Sequence, residues 1–378
     1  MAKPYVIDAD GHVAEHEVDW AARLDPAYRD RAPRILDVNG RNRCLVEGRI
    51  YPIPEGPGQG NSGPFSPDMD WSRLYRAGMR DPQARLADMD VEGIDVAVLF
   101  GTYIGLTLPN LADPGLAVAI ARAYNDWLAE FCAAAPDRLK GVALVPLQDV
   151  PAAIAELERA STRLGHVTAM LPTNLHGKNL DHPDFYPLYD AAQSLGVPLS
   201  VHAGVGHNGV PGHYGTQNAG TERFDRFFFT HLVAFPFEQM IATACVVCGG
   251  VLDKFPQLRV GFFEAGVGWL PYWLQRMDEH YERLRPQVPL LERPPSEHVR
   301  GERFFISCDP DEEMLPDVVA RVGADRILYA SDYAHWDSNF PNSVRYIMEN
   351  ADLSEAAKAK ILGGNAARFL GLPLPVGA

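Results

Sequence analysis

The chain has 378 residues, of which 47% are hydrophobic, and it carries a formal net charge of -15. The length fits one large α/β barrel or two average domains, and the hydrophobic content is enough for a substantial core. The acidic balance argues against a nucleic acid or an anionic membrane as a partner.

Cysteine content and the amino terminus indicate where the protein works. Five cysteines, an odd number scattered along the chain, predict no disulfide framework and therefore a reducing compartment. The opening Met1-Ala2-Lys3-Pro4 does not resemble a signal peptide, and we expect every apolar run to be too short to span a bilayer. The sequence thus predicts a cytoplasmic protein without a membrane partner.

Short apolar segments rich in Val, Ile, Leu and Phe alternate with longer stretches of helical period, which indicates parallel βα units. The predicted strands are residues 5–10, 95–100, 140–146, 167–171, 198–202, 259–264, 304–308 and 327–331. The predicted helices are residues 151–164, 185–195, 235–254, 270–285, 312–322 and 354–370. Asp81-Pro82 offers a helix start, Gly93 a stop, and Ser354 a cap for the last helix. Eight parallel strands predict one α/β domain over residues 1–378, a (β/α)8 TIM barrel.

Two insertions interrupt this barrel, one after the first predicted strand and one after the fifth. Residues 34–53 have the pattern of a hairpin with Asn39-Gly40 and Glu47-Gly48 as turns, and residues 54–70 that of an irregular loop. Residues 205–225 carry His207 and His213 among several glycines. Segments that follow barrel strands lie on the catalytic face, so these are candidates for a lid or a pocket, or simply for surface loops.

The first predicted strand runs directly into Asp8, Asp10, His12 and Glu15. Because residues two apart on a strand point to the same face, Asp10 and His12 would aim together at one cation. The short pattern Asp-x-His is also common at solvated loop ends, so a metal site requires further ligands elsewhere in the chain.

Side chains of metal-ligand type stand at the ends of three more predicted strands, namely His202, Glu264 and Asp332. The carboxyl ends of the strands of a TIM barrel meet at one mouth, where the active sites of this fold lie. One such residue alone more often caps a helix or forms a hydrogen bond in the core. Together with Asp10 and His12, the three residues predict a metal centre.

Several motifs carry a resemblance to a known family. They are Asp10-x-His12, Val201-His202-Ala203-Gly204, Phe255-Pro256-Gln257-Leu258-Arg259-Val260, Phe262-Phe263-Glu264-Ala265-Gly266, Trp269-Leu270-Pro271-Tyr272-Trp273-Leu274 and Ser331-Asp332-Tyr333-Ala334-His335-Trp336-Asp337. On these motifs the chain resembles the amidohydrolase-related (amidohydrolase 2) family over almost its whole length. The resemblance implies a metal-dependent (β/α)8 barrel. The best-known members are non-oxidative decarboxylases similar to aminocarboxymuconate semialdehyde decarboxylase, alongside hydrolases and hydratases.

The same resemblance implies a ligand set and exposes one departure from it. Asp10, His12, His202 and Asp332 match the metal-ligand positions of the family, with Asp10 in place of the first His of the common His-x-His form. The family's decarboxylases carry an acid/base histidine after strand six, whereas this chain has Glu264. That difference argues against decarboxylation.

The chain offers more candidate ligands than one ion needs. Glu15, His231, Glu264 and His335 remain beyond the four matching positions, and one divalent ion needs about three or four protein ligands. Carboxylates can bridge two ions, and a mixed set of histidines and carboxylates suits iron or manganese at least as well as zinc.

The opening Asp-x-Asp-x-His-x-x-Glu resembles a small branch of the family, the oxygen-dependent di-metal hydroxylases. That resemblance implies two Fe or Fe/Mn ions per chain and O2 as co-substrate. The leading hypothesis is therefore a dinuclear non-haem oxygenase that hydroxylates a small carboxylic acid or natural product, with Glu264 and His335 as catalytic residues. The hypothesis assigns the metal to Asp10, His12, His202, Asp332, Glu15, Glu264 and His231. The alternative is a mononuclear Zn or Mn decarboxylase or hydrolase, in which Glu264 acts as a general base.

Other signals add little to this choice. Cys245-x-x-Cys248 falls within an apolar helical stretch and is interpreted as core packing. The phenylalanines at 227, 228, 229, 235 and 237 are candidates for the wall of the site or for the core. No nucleotide-binding motif is found. We expect a small-molecule acid as substrate, and self-association or pairing with a paralogous subunit.

Overall fold

The computed structural model describes residues 4–38, 42–51, 76–204, 216, 218–220 and 223–375. The strands are β1 (Ile7–Val13), β2 (Arg34–Asp37), β3 (Asn42–Val46), β4 (Arg49–Tyr51), β5 (Val96–Gly101), β6 (Leu139–Leu144), β7 (Thr168–Leu171), β8 (Asn174–Leu175), β9 (Lys178–Asn179), β10 (Leu199–His202), β11 (Val260–Phe263), β12 (Phe304–Cys308) and β13 (Ile327–Tyr329). The α-helices are α1 (Trp20–Arg23), α2 (Pro82–Glu92), α3 (Tyr103–Thr107), α4 (Pro114–Cys132), α5 (Val150–Arg163), α6 (Tyr186–Leu195), α7 (Phe227–Cys248), α8 (Val251–Lys254), α9 (Leu270–Leu284), α10 (Pro295–Arg300), α11 (Leu315–Val322), α12 (Ser343–Glu349), α13 (Glu355–Ala359) and α14 (Asn365–Leu370). A π-helical turn, Lys360–Gly364, connects α13 to α14.

Eight strands form one parallel sheet in the order β1-β5-β6-β7-β10-β11-β12-β13. The last strand returns to the first where Gly11 forms a bridge with Tyr333, and His12 N donates to the carbonyl oxygen of Tyr333 at 2.6 Å. The sheet is therefore a nearly closed barrel with helices between its strands. This confirms the predicted (β/α)8 fold class.

Each predicted barrel strand is present, with its ends within three residues of the prediction. The strands were recognisable because they are buried on both faces, which requires continuous apolar sequence. The residues that were predicted to begin or end helices do so in the structure. The Asp81 side chain accepts a hydrogen bond from Ala84 N at 2.8 Å, Gly93 ends α2 with φ 83°, and Ser354 Oγ accepts one from Ala357 N at 3.2 Å.

The insertion after the first strand has one strand more than predicted. Strands β2, β3 and β4 form a three-stranded antiparallel sheet instead of a simple hairpin. Glu47 and Gly48 form the predicted turn, with φ values of 51° and 72°. The other predicted turn at Asn39-Gly40, the loop 54–70, and the residues His207 and His213 lie outside the described residues.

Helix α7 begins eight residues earlier than predicted and is unusually apolar. It spans 22 residues, with a mean hydropathy of 1.5 over an 18-residue window of which 44% is buried. Among the described residues it is the one helix long and apolar enough to cross a membrane, so the expectation that every apolar run is too short is wrong. Its inner side packs on the barrel, where Gln239 Nε2 donates to the carbonyl oxygens of Val201 (3.0 Å) and Phe263 (2.7 Å).

Candidate metal centre

Four of the predicted ligands meet at one mouth of the barrel. Asp10 and His12 lie on β1, His202 ends β10, and Asp332 follows β13. His12 Nε2 lies 3.4 Å from Asp10 Oδ1 and 3.3 Å from Asp332 Oδ1, while His202 Nε2 lies 3.5 Å from Asp10 Oδ2. Strand alternation and the convergence of strand ends therefore place these side chains as the sequence predicts.

The facing atoms of this cluster are buried and lack hydrogen-bond partners. Both carboxylate oxygens of Asp10 and the Nε2 atoms of His12 and His202 are in this condition. Asp332 Oδ1 is buried as well, and its near neighbours are His12 Nε2 and the ring of His335. Buried polar atoms without partners are rare in proteins. Metal bonds of about 2.1 Å at tetrahedral or octahedral angles separate neighbouring ligand atoms by roughly 3.0–3.4 Å, which is close to the distances here. The residues present therefore fit a divalent metal ion.

His202 is oriented for ligation by its backbone neighbour. Its Nδ1 lies 2.7 Å from the carbonyl oxygen of Ala203, so Nδ1 carries the hydrogen and Nε2 is left to face Asp10. Burial opposes a charge on this ring, but the carboxylates of Asp10 and Glu264 outweigh it and raise the pKa of His202 to about 9. Such a carboxylate-rich environment favours any cation, whether a proton or a metal ion.

The protonation states of Asp10 and His12, the two proposed ligands on β1, also suit metal binding. Burial opposes ionisation of Asp10, yet the adjacent His202 and His12 hold the pKa of this carboxyl well below its usual range. Burial and the neighbouring His335 lower the pKa of His12 to about 3. Asp10 is thus an anion and His12 a neutral imidazole, which are the forms that bind metals.

Glu264 and His335 form a second pair beside the ligands. Glu264 Oε2 lies 3.3 Å from His202 Nδ1, and its Oε1 lies 3.6 Å from His335 Nδ1. His335 Nδ1 also forms a close ion-pair contact with Asp332 Oδ1, at 2.8 Å. Burial raises the pKa of Glu264, while the carboxylates of Asp332 and Glu264 overcome burial and raise the pKa of His335 well above its ordinary value. The pair can therefore hold a proton next to the metal position.

Two further predicted ligands lie apart from the four. The Glu15 carboxylate accepts hydrogen bonds from Tyr103 N at 2.8 Å and Ile104 N at 3.3 Å, and burial raises its pKa to about 7. The His231 ring packs against the rings of Phe235 and Trp336, with centroids 4.1 and 5.4 Å away. Neither residue belongs to the ligand groups found among the described residues.

The predicted aromatic wall is only partly present. Phe227 and Phe235 contact His231, at centroid distances of 5.2 and 4.1 Å. Phe228, Phe229 and Phe237 instead expose between 40% and 69% of their surface. The spacing of apolar residues along α7 could not separate these two sets, because nearly every position of the helix is apolar.

Sequence reasoning missed Thr102, which stands directly after β5. Its Oγ1 lies 3.4 Å from His12 Nδ1 and 3.3 Å from His335 Nε2, so it links a metal ligand to the proton-holding pair. The same criterion that identified His202, a polar residue immediately after a barrel strand, would have found Thr102 had it been extended beyond metal-ligand residue types.

A (β/α)8 barrel with a buried cluster of carboxylates and imidazoles at its strand ends defines a metal-dependent barrel enzyme. The family model described as Amidohydrolase (Amidohydro_2) matches residues 7–372, and the chain belongs to this family. This confirms the family that the strand-end motifs indicated.

Several relatives of the chain are decarboxylases. The chain is 30% identical to a gamma-resorcylate decarboxylase from Polaromonas sp. over 81% of this chain and 92% of the relative. It is 28% identical to a 2-amino-3-carboxymuconate-6-semialdehyde decarboxylase from Dictyostelium discoideum, over 77% of both chains. A solved structure of a dihydroxybenzoic acid decarboxylase from Polaromonas sp. JS666, with bound manganese and the inhibitor 2-nitroresorcinol, shares the fold with a TM-score of 0.64 and 24% identity, over 99% of each chain.

These findings contradict the leading hypothesis of a dinuclear iron oxygenase. The two curated relatives named above are decarboxylases. The structure supplies a physical reason, because Glu15 is engaged by backbone amides and His231 by aromatic rings. The dinuclear hypothesis counted those two side chains among its ligands, so a single divalent metal fits better than an iron pair. The decarboxylase relatives also speak against the inference drawn from Glu264.

Proposed function

We propose that the protein is a non-oxidative decarboxylase that uses one divalent metal ion and acts on a small aromatic or unsaturated carboxylic acid. The observation that carries this proposal is the set of buried, unpartnered ligand atoms on Asp10, His12 and His202, with Asp332 Oδ1 3.3 Å from His12 Nε2. The names of both curated relatives support the reaction. Manganese or zinc suits this mixture of carboxylate oxygens and imidazole nitrogens.

A metal ion held by these four residues would polarise oxygen atoms of the substrate. The protein's own contribution is to orient the ligands. The Ala203 carbonyl fixes the ring of His202, Thr102 lies beside His12, and His335 holds Asp332. Such supporting contacts keep ligand atoms in place without reorganisation when substrate arrives.

Glu264 and His335 are the groups placed to move a proton. Decarboxylation at an unsaturated carbon is redox-neutral. The carbon gains a proton, its bond to the carboxyl carbon breaks, CO2 leaves, and the electron pair of that bond restores the unsaturated system. We assign the donated proton to the Glu264 carboxyl, and its replacement to His335 Nδ1, 3.6 Å from Glu264 Oε1. A carboxylic acid can serve in this role as an imidazolium can, which accommodates Glu264 in place of histidine.

The experiment that tests this proposal is turnover without oxygen. The manganese-loaded protein is incubated anaerobically with 2,6-dihydroxybenzoate (gamma-resorcylate), related hydroxybenzoates and amino-substituted unsaturated diacids, and CO2 release is measured against protein stripped of metal by a chelator. We expect CO2 release from at least one acid, only with metal and without oxygen. Conversion of an acid with no CO2 released, or no turnover across the whole panel, would contradict the proposal.

A further inference from the structure

A buried pair of charged residues, Asp8 and Arg85, lies at the seam where β13 returns to β1. The two side chains are 0% and 1% exposed, and Arg85 Nη2 lies 3.8 Å from Asp8 Oδ2. Neither residue belongs to the ligand groups or to the proton-moving pair. A buried ion pair contributes little net stability, because desolvation of the two charges offsets their attraction. Its presence here therefore calls for a geometric explanation.

Asp8 ties together the two strands that carry three of the four ligands. Its Oδ1 accepts hydrogen bonds from Ser331 N at 2.9 Å and from Asp10 N at 3.3 Å, and its Oδ2 accepts one from Ser331 Oγ at 2.7 Å. Asp10 is itself a ligand, and Ser331 immediately precedes the ligand Asp332. One carboxylate thus fixes the backbone beside ligands on β1 and after β13.

Arg85 acts on the remaining ligand of the first strand. It comes from α2, and its Nη1 donates to the carbonyl oxygen of His12 at 2.8 Å. Its guanidinium lies over the ring of Tyr333, with Cζ 4.1 Å from the centroid. The Tyr333 hydroxyl in turn donates to Asp88. A single side chain therefore holds the backbone of His12 and the residue that follows Asp332.

The close approach of these groups depends on Gly11. A β-carbon at that position would stand 2.3 Å from Arg85 Nη2 and 2.7 Å from Asp8 Oδ2, far inside van der Waals contact. The glycine between the ligands Asp10 and His12 thus leaves the space that the charged pair occupies.

Asp332 has a backbone that needs such support. Its φ of 48° lies in the left-handed region, which is disfavoured for a non-glycine residue. Asp332 N donates to the Asp10 carbonyl oxygen at 2.9 Å, and its own carbonyl oxygen accepts from His335 N at 2.8 Å. With Ser331 held by Asp8, the strained turn is fixed on both sides.

We infer that Asp8 and Arg85 are positioning residues that hold Asp10, His12 and Asp332 in ligand geometry before a metal ion arrives. They act through the backbone of the ligands and touch neither metal nor substrate. The inference depends on the metal centre but not on decarboxylation, so it is tested by metal binding and not by turnover.

The test uses Asp8→Asn and Arg85→Lys, which keep side-chain size close to the original. Asp8→Asn removes the negative charge and replaces the Oδ2 acceptor of Ser331 Oγ by an amide, and Arg85→Lys replaces the forked guanidinium, which spans His12 and Tyr333, by a single ammonium. Glu156→Gln is the matched control. Glu156 is a buried carboxylate that accepts hydrogen bonds from Asn125 Nδ2 and Arg159 Nη2, both at 2.7 Å, away from the metal ligands. Mn2+ affinity of each purified full-length protein is measured by titration, with the free ion followed by electron paramagnetic resonance, alongside the melting temperature without metal.

We expect Mn2+ to bind about 10–100-fold more weakly to Asp8→Asn and to Arg85→Lys. Glu156→Gln should retain the affinity of the unaltered protein even if its melting temperature falls. Unchanged Mn2+ affinity in both seam variants would overturn the inference, and so would an equal loss of affinity in Glu156→Gln.

A measurement on the unaltered protein covers the case in which neither seam variant folds. Amide hydrogen exchange is followed for Ser331, Asp332 and His12 in metal-free protein and after addition of Mn2+. We expect these amides to be protected without metal, with less than a tenfold further slowing when Mn2+ is added. Rapid exchange that becomes slow only with Mn2+ would mean that the metal orders the seam, and would overturn the inference.

Discussion

His12 Nε2 lies between carboxylate oxygens of two other proposed ligands, 3.4 Å from Asp10 and 3.3 Å from Asp332. His12→Ala removes this central ligand, so we expect the metal content after reconstitution with Mn2+ to fall from one equivalent per chain to near zero. The matched control is His166→Gln, which alters a buried histidine hydrogen-bonded to the Asn125 carbonyl oxygen. Elemental analysis after dialysis provides the comparison. One full equivalent of metal in His12→Ala would refute the ligand assignment.

Glu264 is assigned the proton that reaches the substrate carbon. Glu264→Gln preserves the shape of the side chain but removes its acidic proton, so kcat should fall about 10²–10⁴-fold. Metal content should stay at one equivalent, because Glu264 is not among the four proposed ligands. Steady-state kinetics with parallel metal analysis checks both statements. An unchanged kcat would remove Glu264 from the mechanism.

His166 provides a test of pH dependence away from the metal centre. Burial lowers its pKa to about 4, against the partial effect of the Asn125 carbonyl oxygen. Below pH 6.5 the unfolded chain therefore takes up a proton that the folded protein does not. The stability contributed by neutral His166 is fully present above pH 6.5 and is lost as the pH falls towards 4, by a total on the order of 3 kcal/mol.

We expect the titration of His166 to steepen the fall of the unfolding free energy as the pH is lowered. His166→Gln should lose less unfolding free energy between pH 7 and pH 5 than the unaltered protein, measured by urea denaturation at each pH. Parallel pH dependences for the two proteins would show that His166 is not the titrating group.

The clustering of the four proposed ligands could be predicted from the sequence, and the contacts that support them could not. Asp10, His12, His202 and Asp332 stand at the ends of recognisable strands, and barrel geometry brings such ends together. Arg85 lies on a helix 73 residues after His12, and nothing in the spacing links the two. Such contacts depend on side-chain packing between distant segments, which strand patterns do not encode.

At the level of elements, a helix ends where the sequence carries a residue suited to its last turn, such as a glycine. Gly93 ends α2 in the left-handed conformation, and its N–H donates to the Met89 carbonyl oxygen. Gly93→Ala should therefore destabilise the protein by about 1–2 kcal/mol. Gly364→Ala is the matched control, because Gly364 has φ -56° and a β-carbon there would have its nearest neighbour 3.5 Å away. Urea unfolding distinguishes them, and equal effects would contradict the account.

Two elements differ from prediction for identifiable reasons. Strand β1 continues to Val13, beyond its predicted end at residue 10, because it pairs with β5 on one side and bridges Tyr333 on the other. Its polar residues interrupt the apolar pattern, since they face the metal position. The additional turns of helix α7, residues 227–234, are mostly apolar without a clear helical period, and such a run does not reveal its own start.

At the scale of the whole molecule, the fold and the family follow from the eight barrel strands and the residues at their carboxyl ends. The (β/α)8 class was predicted from eight apolar strands, and the family from the residues that follow them. The reaction was not predicted correctly, because a count of candidate ligands does not reveal which of them are engaged by other groups. Self-association and a cytoplasmic location remain predictions.

The most direct measurement of the central claim is the fate of the substrate carboxyl group in deuterated water. The manganese-loaded protein is given an acid that it turns over, labelled with ¹³C in the carboxyl group, in D2O without oxygen. For a non-oxidative decarboxylation we expect one equivalent of ¹³CO2 and a product with a single deuterium at the carbon that carried the carboxyl group. A product that retains the ¹³C label, or a reaction that proceeds only when O2 is admitted, would contradict it.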